Sequence, residues 1–232
     1  MTILAYRANL WFLILALLCG CNDGGKTNNP QIHQGKEITK KKNPFRILIL
    51  GDSLTEGYGI SPDQAYPTLL EKKLNDILQP GQRPYEVING GVTGSTTSGG
   101  ASRIDWHMKS PPDYLIVALG GNDGLRGIPP KESKQNLRKI ISQAQAKKVP
   151  VMLTGMKLPP NYGPKHLKQF ESIFAELAKE MEIPLIPFLL EGVGGNPKMN
   201  LPDRIHPNPF GHKIICETVH QHLIKHLPMN KS

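Results

Sequence analysis

Short apolar runs alternate with longer helical patterns along most of this 232-residue chain, and the alternation limits the possible folds more than any other feature. The apolar runs predict strands at 46–50, 85–89, 114–119, 151–154 and 185–187, and the helical patterns predict helices at 65–78, 100–108, 131–147, 164–181 and 209–226. Strands separated by helices form parallel sheets, because a parallel crossover is long enough to hold a helix. The sequence therefore predicts an α/β fold, with a five-stranded parallel sheet between two layers of helices.

The connections that leave the predicted strands are longer than those that enter them. Residues 120–130, 155–163 and 188–202 each follow the carboxyl end of a strand, and we expect them to be loops. Ligands of open α/β sheets bind at the edge where the strands end. The functional site is therefore expected at the carboxyl edge of the sheet.

The N-terminus has the pattern of a secretion signal. A lone Arg7 precedes the largely apolar residues 8–18, which have the length of a signal-peptide core and are too short to span a bilayer comfortably. The run ends in Leu18-Cys19-Gly20-Cys21, which resembles the bacterial lipobox. That resemblance implies cleavage before Cys21 and attachment of diacylglycerol to its thiol. The alternative is an ordinary signal peptide with an incidental pair of cysteines.

On this interpretation the chain has three parts. Residues 1–20 are a lipoprotein signal peptide, residues 21–43 are a lipidated and flexible tether rich in Gly, Asn and Lys, and residues 44–232 form the folded domain. The predicted location is the bacterial cell envelope, as a membrane-anchored lipoprotein in the periplasm or at the outer membrane. In the enteric sorting scheme that the lipobox resemblance implies, an aspartate after the cysteine would favour retention at the inner membrane. Asn22 stands there instead, so the resemblance favours the outer membrane if the source has one.

The chain carries a formal net charge of +9, part of which comes from Lys40, Lys41 and Lys42 in the predicted tether. A basic segment beside a lipid anchor can contact anionic head groups, although a solvated tether explains it equally well. No basic helical face interleaved with aromatics is present, so nucleic acid is not an expected partner. Maturation would leave Cys216 as the one remaining thiol, which predicts no internal disulfide and a small buried side chain.

Two separated segments carry the residue types of nucleophilic acyl transfer. Ser53 stands where the first strand ends in a tight glycine turn and a helix is expected to begin, at Gly51-Asp52-Ser53-Leu54. Near the C-terminus, Asp203-Arg204-Ile205-His206 offers an imidazole that can act as a base and a carboxylate that can orient it. The other histidines of the predicted domain, at 107, 166, 212, 220, 222 and 226, fall in helical positions that we expect to be solvated.

Two glycine-rich loops can supply donors for a negatively charged reaction intermediate. The loop containing Gly94 follows the second strand, where glycine lets a backbone amide approach a ligand, and the loop containing Asn122 follows the third strand. The same clusters also mark ordinary turns, so spacing alone leaves both interpretations open. Asp52 and Asp123 are expected to hold these turns. No cluster has metal-ligand spacing, and neither a metal nor another cofactor is expected.

Together, Gly51-Asp52-Ser53-Leu54, Gly94, Gly120-Gly121-Asn122-Asp123 and Asp203-x-x-His206 resemble, in order, the four blocks of the SGNH, or GDSL, hydrolase superfamily. The resemblance implies that Ser53 is the nucleophile, His206 the base and Asp203 the residue that orients it. It also implies an oxyanion hole formed by the amides of Ser53 and Gly94 and the side chain of Asn122. The fold implied is a three-layer α/β/α sandwich with flavodoxin-like strand order.

Residues 120–127 and 158–163 resemble the bacterial subgroup of acyl-CoA thioesterases, lysophospholipases and arylesterases, which implies an acyl ester or lipid substrate and no cofactor. The strand-exit loops agree with an acyl substrate, because they carry apolar residues at Ile60, Leu125, Ile128, Met156, Leu158, Pro159 and Tyr162. Arg126 is expected near the mouth of the site, where it could meet a phosphate or remain solvated, and Trp106 is expected to be packed. Two alternatives remain open: a carbohydrate O-deacetylase of the same superfamily, and a catalytically inactive envelope binding module.

Overall fold

The computed structural model describes residues 43–228. Five strands form one sheet in which every pairing is parallel, in the order β2-β1-β3-β4-β5. The strands are β1 (Phe45–Gly51), β2 (Tyr85–Gly91), β3 (Tyr114–Ala118), β4 (Val151–Thr154) and β5 (Leu185–Ile186). This order is that of the flavodoxin-like sheet. The predicted five-stranded parallel sheet is therefore confirmed.

Helices cover both faces of the sheet. They are α1 (Ser53–Glu56), α2 (Tyr66–Asp76), α3 (Thr97–His107), α4 (Gly121–Leu125), α5 (Pro130–Ala146), α6 (Pro164–Glu180) and α7 (Pro209–Leu223), with 3-10 turns at Pro62–Gln64 and Pro160–Tyr162. Helices α2 and α7 pack together, and α5 packs between α3 and α6. The molecule is thus the predicted three-layer α/β/α sandwich.

The central strands are apolar along their whole length because helices cover them on both sides. All five residues of β3 are buried, and so are the four consecutive aliphatic residues of β1 from Ile47 to Leu50. The edge strand β2 remains partly exposed. The continuous apolar runs in the sequence therefore correspond to the middle of the sheet.

Two short helices, α1 and α4, follow strands β1 and β3 at the carboxyl edge of the sheet. Helix α1 begins at the serine turn because the Asp52 side chain accepts a hydrogen bond from the Leu54 amide at 3.0 Å. Helix α4 lies within the predicted loop 120–130, after Gly120 with a φ of 122°, which favours glycine. The prediction of a simple loop at 120–130 was therefore wrong for its first half.

Three predictions about side-chain burial were also wrong. Trp106 is 69% exposed, because it lies about 200° around α3 from the buried Ile104. His212 and His220 are buried, because they lie four residues before and four after the buried Cys216 on the inner face of α7. This spacing of four residues can be read from the sequence, so the shared face of the two histidines and Cys216 was predictable. Cys216 itself is buried and free, as predicted.

The predicted signal peptide, most of the predicted tether and Cys21 lie outside the described residues. Across residues 43–228, no helix has both the length and the apolar character needed to cross a membrane.

Candidate active site

Ser53 is held at the carboxyl edge of the sheet by a tight turn between β1 and α1. A side chain at Gly51 would place its Cβ 1.9 Å from Thr55 Oγ1, so only glycine lets the chain turn this sharply. Asp52 caps the helix, and Ser53 is its first residue. The serine is 7% exposed, so its hydroxyl lies in a largely desolvated position.

The imidazole of His206 reaches Ser53 across 153 residues of sequence. Its Nε2 lies 3.0 Å from Ser53 Oγ, and its Nδ1 lies 2.7 Å from Asp203 Oδ2. If Nδ1 carries the proton, it donates to the carboxylate while Nε2 accepts from the serine hydroxyl. The structure therefore brings the predicted serine, histidine and aspartate into one hydrogen-bonded chain.

Asp203 is fixed by its own loop. Its Oδ1 accepts hydrogen bonds from the backbone amides of Ile205 at 2.9 Å and His206 at 3.0 Å, which leaves Oδ2 for the imidazole. Arg204, between them, has a φ of 61°, a conformation uncommon for a non-glycine residue. Desolvation alone would raise the pKa of Asp203, but the two amides and the imidazole lower it to about 2. The carboxylate is therefore ionised at neutral pH.

The predicted oxyanion donors belong to the serine turn after β1 and to the segments that follow the two neighbouring strands, β2 and β3. The amides of Ser53 and Gly94 donate to no acceptor within residues 43–228, and Gly94 has a φ of 75°. The side-chain nitrogen of Asn122 donates to the Ser95 carbonyl at 3.1 Å and more weakly to Asp52 Oδ2 at 3.3 Å. Asn122 thus joins the serine turn to the Gly94 loop. One of its N–H groups can turn to a ligand by giving up the longer contact.

The two additional aspartates act as scaffold, as expected from the sequence. Burial raises the pKa of Asp52 to about 6, against the opposing effects of the Leu54 amide, Asn122 and His206. Asp123 accepts from the amide and hydroxyl of Thr97 and from the Ser133 hydroxyl, so it joins α3 to α5. Neither carboxylate forms a hydrogen bond to Ser53.

Tyr58 contacts the imidazole and was not identified from the sequence. Its ring centroid lies 4.5 Å from that of His206, with the planes tilted by 40°. Its backbone amide donates to the Ser53 carbonyl at 3.1 Å. The Tyr58 ring is about half exposed: one part of it covers the imidazole, and the rest contacts solvent. No local pattern marks this residue, because the contact depends on how two distant loops meet.

The loops around the site carry part of the predicted apolar lining. Leu125 is exposed and Tyr162 is partly buried, and the Tyr162 hydroxyl donates to the Leu125 carbonyl at 3.1 Å. Met156 and Leu158 are buried in the core instead, and a Cβ on Gly124 would lie 2.4 Å from a Leu158 methyl. These two residues therefore offer little exposed apolar surface to a groove.

Arg126 lies where the sequence suggested, beside the Gly94 loop. Its Nη2 donates to the Gly94 carbonyl at 3.0 Å. Within the described residues, no group of three or more His, Cys, Asp or Glu side chains could hold a metal ion. The chemistry available at this edge is that of a serine, an imidazole, a carboxylate and backbone donors.

The chain is similar to known proteins in sequence and in fold. Residues 49–214 match the model of the GDSL-like lipase/acylhydrolase family. The chain is 39% identical over 183 residues to an arylesterase of Vibrio mimicus, covering 78% of this chain and 90% of the relative. It is 38% identical over 172 residues to thioesterase 1/protease 1/lysophospholipase L1 of Escherichia coli K12, covering 74% and 79%. Among solved structures, the psychrotrophic esterase EstA from Pseudoalteromonas, inhibited by monoethylphosphonate, is 30% identical with a TM-score of 0.72, covering 78% and 97%.

Proposed function

Because the chain belongs to the GDSL-like lipase/acylhydrolase family and is a serine ester hydrolase, we propose that Ser53, His206 and Asp203 are its catalytic triad. The observation that carries this proposal is the continuous hydrogen-bonded chain from Ser53 Oγ through His206 to Asp203. The reaction is hydrolysis of an acyl ester or thioester through a covalent acyl-enzyme. The competing possibility of an inactive binding module does not fit an intact and connected triad.

In the first half-reaction, Ser53 Oγ attacks the acyl carbonyl carbon while His206 Nε2 takes the hydroxyl proton. The resulting imidazolium returns this proton to the leaving alcohol or thiol, and the acyl group remains on Ser53. Water then attacks the acyl-enzyme, again with His206 as base, and releases the acid. Asp203 stays ionised throughout, since its pKa of about 2 lies far below working pH, and it stabilises the imidazolium.

The negative charge that develops on the carbonyl oxygen needs donors that are already in place. The free amides of Ser53 and Gly94 supply two, and Asn122 supplies a third once one N–H leaves Asp52. The stronger contact to the Ser95 carbonyl can stay, because it uses the other N–H of the carboxamide. These roles remain those that the family resemblance implies.

The nucleophile is tested with Ser53→Ala and with an exposed serine as control, Ser102→Ala. Ser53→Ala should lower the activity on p-nitrophenyl butanoate by about 10³-fold or more without unfolding the protein. Ser102→Ala should keep full activity. A phosphonate ester should add one label, and peptide mapping should find it on Ser53. Labelling at another residue, or an active Ser53→Ala enzyme, would refute the triad.

For the substrate we propose apolar acyl chains, as the exposed Leu125 and the neighbouring Tyr162 provide an apolar wall. Each methylene buried there contributes about 0.8 kcal/mol, so kcat/KM should rise about fourfold per methylene until the wall is covered. A series of p-nitrophenyl esters from acetyl to dodecanoyl measures this. Leu125→Ser should flatten the series, and Trp106→Ser, on the exposed C-terminal end of α3, should not. A strict preference for acetyl groups on sugars would instead indicate a carbohydrate O-deacetylase.

For the location we propose a membrane-anchored lipoprotein of the bacterial envelope, supported by the lipobox-like segment ending at Cys21. Expressed in a bacterium, the protein should fractionate with membranes, and mass spectrometry should find Cys21 as a diacylglyceryl-modified first residue. Cys21→Ser should block processing or release the protein, whereas Cys19→Ser, in the segment removed by cleavage, should change neither. Unchanged fractionation of Cys21→Ser would refute lipidation. Anionic lipid contacts by the basic tether remain part of this proposal.

A further inference from the structure

Arg103 lies behind the active site, on α3, with its guanidinium half-buried between two of the loops that form the site. Its Nη1 donates to Ser95 Oγ at 2.6 Å. Its Nη2 donates to the Gly51 carbonyl at 2.6 Å and more weakly to the Gly90 carbonyl at 3.4 Å. One side chain therefore joins the end of β1, the end of β2 and the loop that follows β2.

Each strong contact of Arg103 lies beside a proposed oxyanion donor. Gly51 comes two residues before Ser53, and Ser95 follows Gly94 directly. The carbonyl of Ser95 in turn accepts the hydrogen bond from Asn122 at 3.1 Å. The positions of all three donors therefore depend on groups that the guanidinium holds.

The charge of Arg103 is not explained by an ion pair. Among the described residues no carboxylate lies within salt-bridge distance of it, and its Nε is buried without a hydrogen-bond partner. Desolvation lowers the pKa of the guanidinium and the charge of Asp52 raises it, yet an arginine stays protonated in proteins. A partly buried cation without a contacting anion costs free energy. The planar guanidinium of Arg103 can reach acceptors on separate loops, which a lysine ammonium cannot do.

We propose that Arg103 is a positioning residue that holds the oxyanion donors Ser53, Gly94 and Asn122 in register. This inference rests on the proposed triad and oxyanion hole. Because the donors act on charge that develops only in the transition state, loosening them should lower kcat and leave substrate binding nearly unchanged. A purely structural role would lower the amount of folded enzyme without changing the rate per active site.

The central test compares Arg103→Met and Arg103→Lys with the wild-type chain on p-nitrophenyl butanoate. Removing a whole oxyanion donor costs about 10²–10³ in kcat, so displacing several donors slightly should cost about 30-fold in Arg103→Met, with KM within about twofold. Arg103→Lys should recover only part of the loss. Rates are expressed per active site, counted by phosphonate titration. The matched control is Arg46→Met, which removes hydrogen bonds to Ser110 and an ion pair with Glu86; its kcat should not change.

Two further measurements keep the test decisive if Arg103→Met folds poorly. Ser95→Ala removes the contact between the guanidinium and the Gly94 loop, together with a weak hydrogen bond from Ser95 Oγ to the Thr96 carbonyl at 3.3 Å. It should lower kcat in the same way but by less. In Arg103→Ala, guanidinium chloride at a non-denaturing concentration should raise kcat, whereas sodium chloride at the same ionic strength should not. In the double variant that combines Arg103→Met with Asn122→Ala, the fold-loss in kcat should be smaller than the product of the two single fold-losses. The reason is that the two residues act through one chain of contacts.

The proposal fails if Arg103→Met and Ser95→Ala both keep the wild-type kcat per active site, or if only KM changes. That failure is distinct from failure of the proposed function, which would appear as full activity in Ser53→Ala or as labelling elsewhere. A working triad with an unaffected Arg103→Met would leave the esterase mechanism in place and remove only this inference.

Discussion

His212 should make the stability of the protein fall as the pH drops from neutral to about 4. The imidazole is fully buried on α7, stacks on Tyr66, and accepts a hydrogen bond from the Tyr66 amide at 3.2 Å through Nδ1. Its Nε2 is buried and has no partner among the described residues. Burial therefore lowers the pKa of His212 from 6.5 to about 4, and the folded protein keeps this ring neutral.

The sign and size follow from proton linkage. Between about pH 6.5 and pH 4 the unfolded chain binds a proton at His212 and the folded chain does not, so acid favours unfolding. Each pH unit in that window corresponds to about 1.4 kcal/mol, which gives about 3 kcal/mol over the window. Asp52 acts in the opposite direction, because its raised pKa lets the folded state take up a proton near pH 6. A comparison with a variant that retains Asp52 removes this second effect.

The variant His212→Asn retains an acceptor for the Tyr66 amide and cannot titrate. At pH 7 it should be less stable than wild type by about 1–2 kcal/mol, because packing on Tyr66 is lost. Urea unfolding at pH 7, 5.5 and 4.5 should show this difference in the free energy of unfolding closing and then reversing. The reason is that only the wild-type protein has a buried His212, which is protonated in the unfolded chain and neutral in the folded one at acid pH. His226→Asn, at an exposed position beyond α7, is the control for removing a histidine. A difference between His212→Asn and wild type that stays constant with pH would refute the reasoning.

Three further predictions concern the catalytic edge. Asp203→Asn should lower kcat by about 10³–10⁴-fold with intact folding, because the amide no longer holds the imidazole of His206 in the productive tautomer; steady-state kinetics and circular dichroism measure the two effects. Tyr58→Ala should lower kcat about tenfold by freeing the imidazole, whereas Tyr58→Phe should stay close to wild type. Equal losses in both would mean that the hydroxyl matters and not the ring. Asn122→Ala should lower kcat by about 10²–10³ with little change in KM, and a change in KM alone would contradict its proposed role on the oxyanion.

The sequence was a good guide wherever one local pattern carried the information. The alternation of apolar runs and helical segments predicted all five strands, and the bounds of β4 were correct to the residue. The N-cap of α7 also depends on neighbouring residues only: Asn208 accepts from the amides of Phe210 at 3.0 Å and Gly211 at 3.1 Å. The start of helix α1 at the serine turn was equally local. The short helix α4 was missed because five residues are too few to show a helical period.

By itself, then, the sequence determined the parallel α/β architecture and named the serine, the histidine and the aspartate as a set, since strand-end turns and short motifs are properties of neighbouring residues. Only the tertiary structure decided that Ser53 and His206, 153 residues apart, lie 3.0 Å from each other. It also decided that Arg103 joins two loops behind the site and that Tyr58 covers the imidazole. These contacts depend on how crossover connections bring separate strand ends to one edge of the sheet. The pattern along a single segment does not contain that information.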